Sequence, residues 1–589
     1  MQASLLLADY VVLVLYLLIV VAVGVWFSRG DRDTEAYLLG GRRIPWAAVA
    51  LSYFVSVTST LSMVGIPGEA YTYGVAMGLK TFITPFAVLT CFFIFIRFFF
   101  YSRIFTPFTY LEHRFDGRVR ALAAGIFAVT RLTYIALVLY SCAKVFEGAA
   151  QWPVWLSIVL IGLVGTIYTV LGGIRAVVWT DVIQFVIMAV GLLLIVIKVI
   201  ATVPGGAGGI VEYAIDRDHF LRKPEALVFS IKADLGDELN NGVIAEHLRK
   251  EFEAKEIRLS KGAAVQMSKA GIRWSITDEG ETYAVVKEDN DLKVFREARF
   301  WSFSVFERVT LWLVILSAFA GALFNNTGDQ LAVQRLLTTS GYKQARRAMI
   351  TQVIVDVPMM LSMWFVGLAV WVFYQHQAAE ARPKDADLAM MNFVTAELPQ
   401  PLPGLIVAAL LAAVMSTLDS GINSLATVFT KDFYLRFFRK LATELEQVRI
   451  ARWMTVATGL FAIAVAMLIS HVSETIRDKV LEVTAVWMAS QSVLPAAFIL
   501  AAFSRRATAR HVLIALVIGE IVVVGMMIWY LTAKFSGQET MSPFYVGGAG
   551  IVVPTVVGFV LSRFAPRQPN DALRNMTFWT LKKNNGAVE

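Results

Sequence analysis

Five hydroxyls fall within Ser56-Val57-Thr58-Ser59-Thr60-Leu61-Ser62, just before the break Gly65-Ile66-Pro67-Gly68, and all lie inside an apolar stretch. Neutral oxygens in such a place can replace the hydration shell of a hard cation such as Na⁺, by the logic that gives Ca²⁺ and Mg²⁺ their oxygen sites. The break also frees backbone carbonyls, which is tolerable in a membrane only where they line a cavity or bind a cation. A hydroxyl-rich helix interface is the competing reading. A second cluster, Ser416-Thr417-Leu418-Asp419-Ser420 with Asn423, brings a carboxylate among hydroxyls. Ser416, Asp419, Ser420 and Asn423 share one helical face at spacings of three and four. Asp181 lies one turn into another apolar run, placed either to pair with Arg175 or to face an ion path. The polar stretch Asn325-Asn326-Thr327-Gly328-Asp329-Gln330, followed by Val333-Gln334-Arg335, reads as another polar helix break, with a helix cap opening a solvated loop as the competing reading. Arg131 sits mid-way along an apolar run, where a charge costs at least about 2.5 kcal/mol. Its guanidinium suits bidentate binding of a carboxylate or pairing with an internal acid.

These residues need elements that cross a membrane. Apolar runs of about 18 residues or more predict some thirteen spans, near 9–27, 46–70, 76–100, 121–146, 153–171, 179–203, 305–327, 349–374, 403–430, 453–471, 482–503, 511–532 and 544–563. The first run has no basic segment before it and reads as a retained helix rather than a signal peptide. The composition agrees: 57% of the 589 residues are hydrophobic and 17% charged, against about 45–50% and about 25% in soluble domains. Cys91 and Cys142 lie in apolar runs, so no disulfide framework is expected. The sequence shows no HExxH, nucleophile elbow or paired catalytic carboxylates, which argues against an enzyme.

Orientation follows the positive-inside rule. One set of alternating loops and the tail carries 27 Lys and Arg, among them Arg42, Arg114, Arg335, Arg436, Arg505 and Arg563; the other carries 6, among them Lys80 and Arg382. The amino terminus is expected outside and the carboxyl terminus in the cytoplasm, in a cell (inner) membrane. Residues 204–302 interrupt the pattern: a glycine-rich hinge, then a polar stretch with a helical pattern at Val243–Ala254 and strand-like alternation at Ala264–Ser268, Ile272–Thr277, Thr282–Lys287 and Leu292–Phe295. The domains expected are therefore spans 1–6 in 1–203, an extracytoplasmic α+β insertion in 204–302, spans 7–13 in 303–566, and a tail in 567–589. The net charge of +8 splits into −3 for the insertion and +11 for the rest, so it reports topology and not a nucleic-acid partner.

Taken together and in order, these clusters resemble the sodium:solute symporter family. Tyr110-Leu111-Glu112-His113-Arg114-Phe115, Ile167-Tyr168-Thr169, and Asp432 with Tyr434 add to the likeness. The resemblance implies an all-α polytopic protein with two inverted five-helix repeats, spans 2–6 and 7–11, each opening with a discontinuous helix. It implies a main sodium site of the Val55, Thr58 and Ala413 carbonyls with the Ser416 and Thr417 hydroxyls. A second cation site would use Asp181, Ser416, Asp419 and Ser420; Asp419 replaces the family's usual hydroxyl and would strengthen a second Na⁺ site or bind a proton. The family's sugar-binding positions correspond to Ser62, Thr81 and Asn325, so the sugar site is not reproduced. Arg131 looks like the carboxylate-binding arginine of the family's sialic-acid members. The function expected is Na⁺-coupled import of a small polar solute, leaning to an organic anion or amino acid with a sugar or polyol as the alternative, with no cofactor beyond Na⁺ and with solute, sodium and lipid as partners. A non-transporting receptor on the same fold is the rival; about 26 residues follow the last span, short for a signalling extension.

Overall fold

A computed structural model describes residues 5–27, 33–58, 60–217, 219–220, 225–232, 264–267, 273–278, 281–288, 291–297, 310–378, 382–383, 385–472, 488–536, 541–542, 544–571 and 573–581. Outside 225–297 the described chain is a helical bundle. In order it runs α1 (Leu7–Phe27), α2 (Thr34–Leu39), α3 (Trp46–Val57), α4 (Thr60–Tyr73), α5 (Lys80–Tyr101), α6 (Pro107–Arg114), α7 (Gly117–Ala150), α8 (Val154–Thr202) and α9 (Gly206–Asp216). It continues with α10 (Leu311–Thr327), α11 (Gln330–Leu337), α12 (Tyr342–Gln375), α13 (Ala386–Glu397), α14 (Leu402–Val428), α15 (Glu444–His471), α16 (Leu494–Phe503), α17 (Ala509–Phe535) and α18 (Phe544–Arg563).

Among the described residues nine helices are long and apolar enough to cross a membrane, or eleven when two bent pairs each count as one. α8 spans 49 residues, roughly 73 Å at 1.5 Å per residue, more than twice the hydrocarbon core. It breaks at Gly173 (φ 51°, ψ −152°), which makes it two crossings. Of the expected span 482–503, Met488–Phe503 is described; the expected helix at 243–254 lies outside the described residues. The bent pairs are Trp46–Val57 with Ser62–Tyr73, at 56°, and Leu311–Thr327 with Gln330–Leu337, at 55°. They stand at the heads of the two expected repeats and bend almost equally.

Large aliphatic side chains such as Leu7, Leu18, Ile354 and Ile521 are exposed around the perimeter. In water such a surface would drive association; in lipid it is the solvated face. The centre is α14, 94% of whose apolar window is buried. Small residues let neighbours close on it: Gly421 faces Ile135, and Gly404 lies against Asp9. Asp9 accepts from the Gly404 N–H at 2.7 Å, which supplies a capping partner to α14 from a different helix.

The glycine run makes a sharp turn, with φ 77° at Gly205 and 59° at Gly206. It then opens α9, whose Ile210 and Ala214 are buried against the bundle. Beyond it, five strands form one antiparallel sheet in the order β1-β5-β4-β3-β2, with β1 Glu225–Lys232, β2 Ala264–Met267, β3 Arg273–Asp278, β4 Glu281–Glu288 and β5 Asp291–Glu297. β2 to β5 fall where alternation predicts them. β1 is additional.

Candidate sodium and solute sites

Three helix breaks and one central helix build the site. α3 stops at Val57 because Thr58 leaves helical geometry (φ −103°, ψ 99°), so carbonyls of its last turn lose their intrahelical donors. One of them, Val55 O, accepts from the Ser416 hydroxyl of α14 at 3.2 Å. Ser416 also reaches the Ala413 carbonyl at 2.9 Å, and Thr417 donates to that carbonyl at 3.0 Å. The structure thus gathers Val55, Ala413, Ser416 and Thr417, all buried, into one knot of oxygens. Thr58 lies three residues beyond Val55, and its buried hydroxyl has no hydrogen-bond partner. Among the described residues this leaves an unpartnered oxygen one turn along the chain from the Val55 carbonyl, and neutral oxygens suit Na⁺.

The break at Gly173 delivers Asp181 to α3. Gly173 needs its positive φ, and a Cβ there would come within 2.5 Å of the Tyr37 carbonyl. Ser52 donates to Asp181 Oδ2 at 2.5 Å and Ser56 at 3.3 Å. Ser56 also lies 3.1 Å from the Ser420 hydroxyl. The expected partner Arg175 is not the one found. Arg335 lies 3.5 Å from Asp181 Oδ2, donates to Ser420 Oγ, and donates to the Leu331 carbonyl at 2.9 Å.

Arg335 therefore corrects the expectation of a solvated loop after Gln330. It is fully buried, because α11 bends inward from α10 and Asp329 caps it, accepting from the Leu331 N–H at 3.0 Å. Next to it Gln334 donates to the Leu38 carbonyl at 2.7 Å and to Asn423 Oδ1 at 2.9 Å. Asp419 is held separately: it accepts from Tyr168 and, at 3.2 Å, from Ser420. The expected second-site set of Asp181, Ser416, Asp419 and Ser420 thus shares one buried region of α14 and α8, with a guanidinium among its acids.

A cavity of about 450 Å³ adjoins the break in the α3–α4 pair. Its lining includes Thr58, Glu69, Lys80, Thr81, Asn325 and Asp356. Of the expected solute residues, Thr81 and Asn325 line it; Ser62 and Arg131 do not. Arg131 instead forms a buried ion pair with Asp329, Nη2 to Oδ2 at 2.7 Å. The Phe127 and Tyr134 rings flank it at 5.5 and 5.4 Å, so its charge is spent inside the protein.

A model of the sodium:solute symporter family matches residues 37–219 and 287–519. The chain belongs to that family. It is similar to the sodium/sialic acid symporter NanT of Aliivibrio fischeri, 26% identical over 94% of this chain and 92% of the relative. It is similar also to sodium-coupled monocarboxylate transporter 1 of Homo sapiens, 26% identical over 78% of this chain and 64% of the relative. A solved Na⁺-coupled sialic acid symporter, substrate-bound and outward-open, shares the fold with a TM-score of 0.73 at 23% identity, over 95% of this chain and 99% of that one. The protein is an integral membrane Na⁺-coupled solute symporter, not an enzyme, and Na⁺ is its coupling ion.

Two residues of the cavity and the buried network escape sequence reasoning, and for different reasons. Lys80 reads as an outer-loop cation, yet it opens α5 at the cavity wall. Arg335 reads as a loop cation, although Leu331, Val333, Leu336 and Leu337 around it form an apolar pattern that loops lack. The family motif at Tyr110–Phe115 has a scaffolding role instead. Arg114 donates to the Ser504 carbonyl at 2.6 Å and Glu112 accepts from Arg120 and Arg436 at 2.6 and 2.7 Å, tying α6 to α7, α16 and the segment after α14.

Proposed function

We propose that this symporter imports a small organic acid or amino acid, holding the carboxylate at Lys80 and the polar body against Thr81, Asn325 and Asp356. The observation that carries the reading is Thr58, which ends α3 beside the sodium-site carbonyls and also lines the solute cavity. A cation drawn to the Val55, Thr58, Ala413, Ser416 and Thr417 oxygens fixes the break that forms one wall of the cavity, so ion and solute stabilise the same conformation. The names of the relatives, sialic acid and monocarboxylate, share a carboxylate. Each Na⁺ crossing 100 mV supplies about 2.3 kcal/mol before its concentration term.

In this reading the network of Ser52, Ser56, Asp181, Arg335 and Ser420 closes the path on the basic, cytoplasmic side, while the cavity belongs to the outer side. Asp181 has the Arg335 guanidinium beside it, while Asp419, held by Tyr168 and Ser420, keeps one negative charge for a second Na⁺ or a proton. The chain then has thirteen spans, an outer insertion and a cytoplasmic carboxyl terminus.

Uptake into proteoliposomes tests the function directly. With an inward Na⁺ gradient, sialic acid, a monocarboxylate or an amino acid accumulates and myo-inositol does not. Accumulation of the polyol alone overturns the carboxylate reading; accumulation that ignores the Na⁺ gradient overturns the site.

A further inference from the structure

A pocket of about 460 Å³ lies on the face where α16 and α18 end and α17 begins. Its lining contains Arg505, Arg506, Arg563 and Arg567, with Ser562 and Trp579, and among the described residues includes no carboxylate. Two chain segments converge there and hold each other. Arg506 donates to the Arg563 carbonyl at 2.6 Å, and the Gln568 N–H donates to the Arg505 carbonyl at 3.0 Å. Trp579 closes one side through its indole N–H, which donates to the Phe503 carbonyl at 3.0 Å.

Four arginines in one lining repel one another, and nothing among the described lining residues offsets them. A guanidinium cluster with hydroxyls suits a phosphate oxygen array. Trp579 of the lining is 57% exposed, and Phe564, next in the chain to Arg563, is 85% exposed. Exposed aromatics at helix ends mark the headgroup level of a bilayer. A free phosphate has no use for them, whereas a glycerophospholipid has acyl chains to lay against them.

We propose that this pocket binds the headgroup of an anionic membrane phospholipid, its phosphate among Arg505, Arg563 and Arg567 and its glycerol and acyl chains along Phe564 and Trp579. The site stands apart from the sodium and solute sites, and basic pockets between helices on a cytoplasmic face are suited to this chemistry. A bound lipid neutralises the cluster and clamps the segment after α18 onto the loop before α17.

The test uses purified, delipidated full-length protein. Phosphatidylglycerol, phosphatidylcholine and inorganic phosphate are titrated separately, with binding read by native mass spectrometry and the melting temperature as second readout. Phosphatidylglycerol is expected to bind and raise the melting temperature, phosphatidylcholine to bind at least tenfold more weakly, and phosphate to shift nothing at millimolar concentration. A variant with Arg505→Gln, Arg563→Gln and Arg567→Gln is expected to lose affinity for phosphatidylglycerol on the order of a hundredfold, while a triple lysine variant keeps most of it. Arg506 is left intact because it braces the loop. Na⁺-dependent stabilisation in the glutamine variant, equal to wild type, shows that it is folded. Equal binding of both lipids, unchanged affinity in the glutamine variant, or phosphate binding as tight as lipid each overturns the proposal.

Discussion

The Ser416 hydroxyl has one proton to offer the Val55 and Ala413 carbonyls, so it alternates between them until a cation takes both carbonyls as ligands along with its own lone pairs. Removing one such oxygen costs roughly 1–3 kcal/mol, and Ser416→Ala is therefore expected to raise the Na⁺ concentration for half-maximal uptake about tenfold to a hundredfold. Uptake at graded Na⁺ checks this, and an unchanged value removes Ser416 from the site. The two cations considered for the solute separate just as cleanly. Lys80→Met should raise KM for an acidic solute at least about tenfold and leave Na⁺ dependence alone. Arg131→Gln strands the buried Asp329 carboxylate and should instead destabilise the protein by about 3–5 kcal/mol, seen as a lower melting temperature. Sequence reasoning singles out Arg131 because a mid-span charge is conspicuous. It misses Lys80 because a lysine at the end of an apolar run looks like a loop residue, and only the fold turns that end toward a cavity.

The same division holds for elements. Helices that obey length and apolarity are legible, and the expected run at 403–430 is α14 almost to the residue. Breaks are legible where polar residues interrupt an apolar run, as before Gly65 and Pro67 and at Asn325 to Gln330, but the burial of α11 beyond its break is not, because eight residues capped by Asp329 also look like a helix end followed by a loop. The break in α8 rests on Gly173, so Gly173→Ala combines a left-handed strain of about 1–3 kcal/mol with the collision at the Tyr37 carbonyl. It should lower the melting temperature and abolish uptake together, since Asp181 then misses Ser52 and Arg335. The braces between elements carry a pH signature. Burial pushes the Glu112 carboxyl upward, yet Arg120 and Arg436 beside it hold it below the usual carboxylate range. Its folded value lies under its unfolded one near 4.3, so its contribution is complete above that value and vanishes as pH falls through the folded value. Glu112→Gln should thus lower thermal stability at neutral pH, with the gap to wild type closing as pH drops below about 4. A gap that widened on acidification would contradict the brace.

For the molecule as a whole, the charge asymmetry between alternating loops is the quantity that sets direction of transport, because the Na⁺ gradient and membrane potential have signs only relative to an orientation. The structure supports reading the loops as faces: Arg505 and Arg506 meet the segment carrying Arg563 and Arg567 on one side, as two loops of the basic set must. Its amendments are Arg335, which leaves the basic set for the buried network, and Lys80, which leaves the other set for the cavity wall; they barely alter so lopsided a ratio. The family match skips residues 220–286, which hold β1 to β3 and most of β4, whereas β5 of the same sheet lies within the matched residues. Both native cysteines, Cys91 and Cys142, are buried, so the unmodified chain provides a quiet background for labelling. Single cysteines at the exposed positions Asp385 and Arg510 belong to opposite sets. In intact cells a membrane-impermeant maleimide should label Asp385→Cys and spare Arg510→Cys until the membrane is broken. The reverse pattern would put the amino terminus inside and reverse the assignment of cavity and network to the two faces, while both sites labelling in intact cells would undo the span count between them.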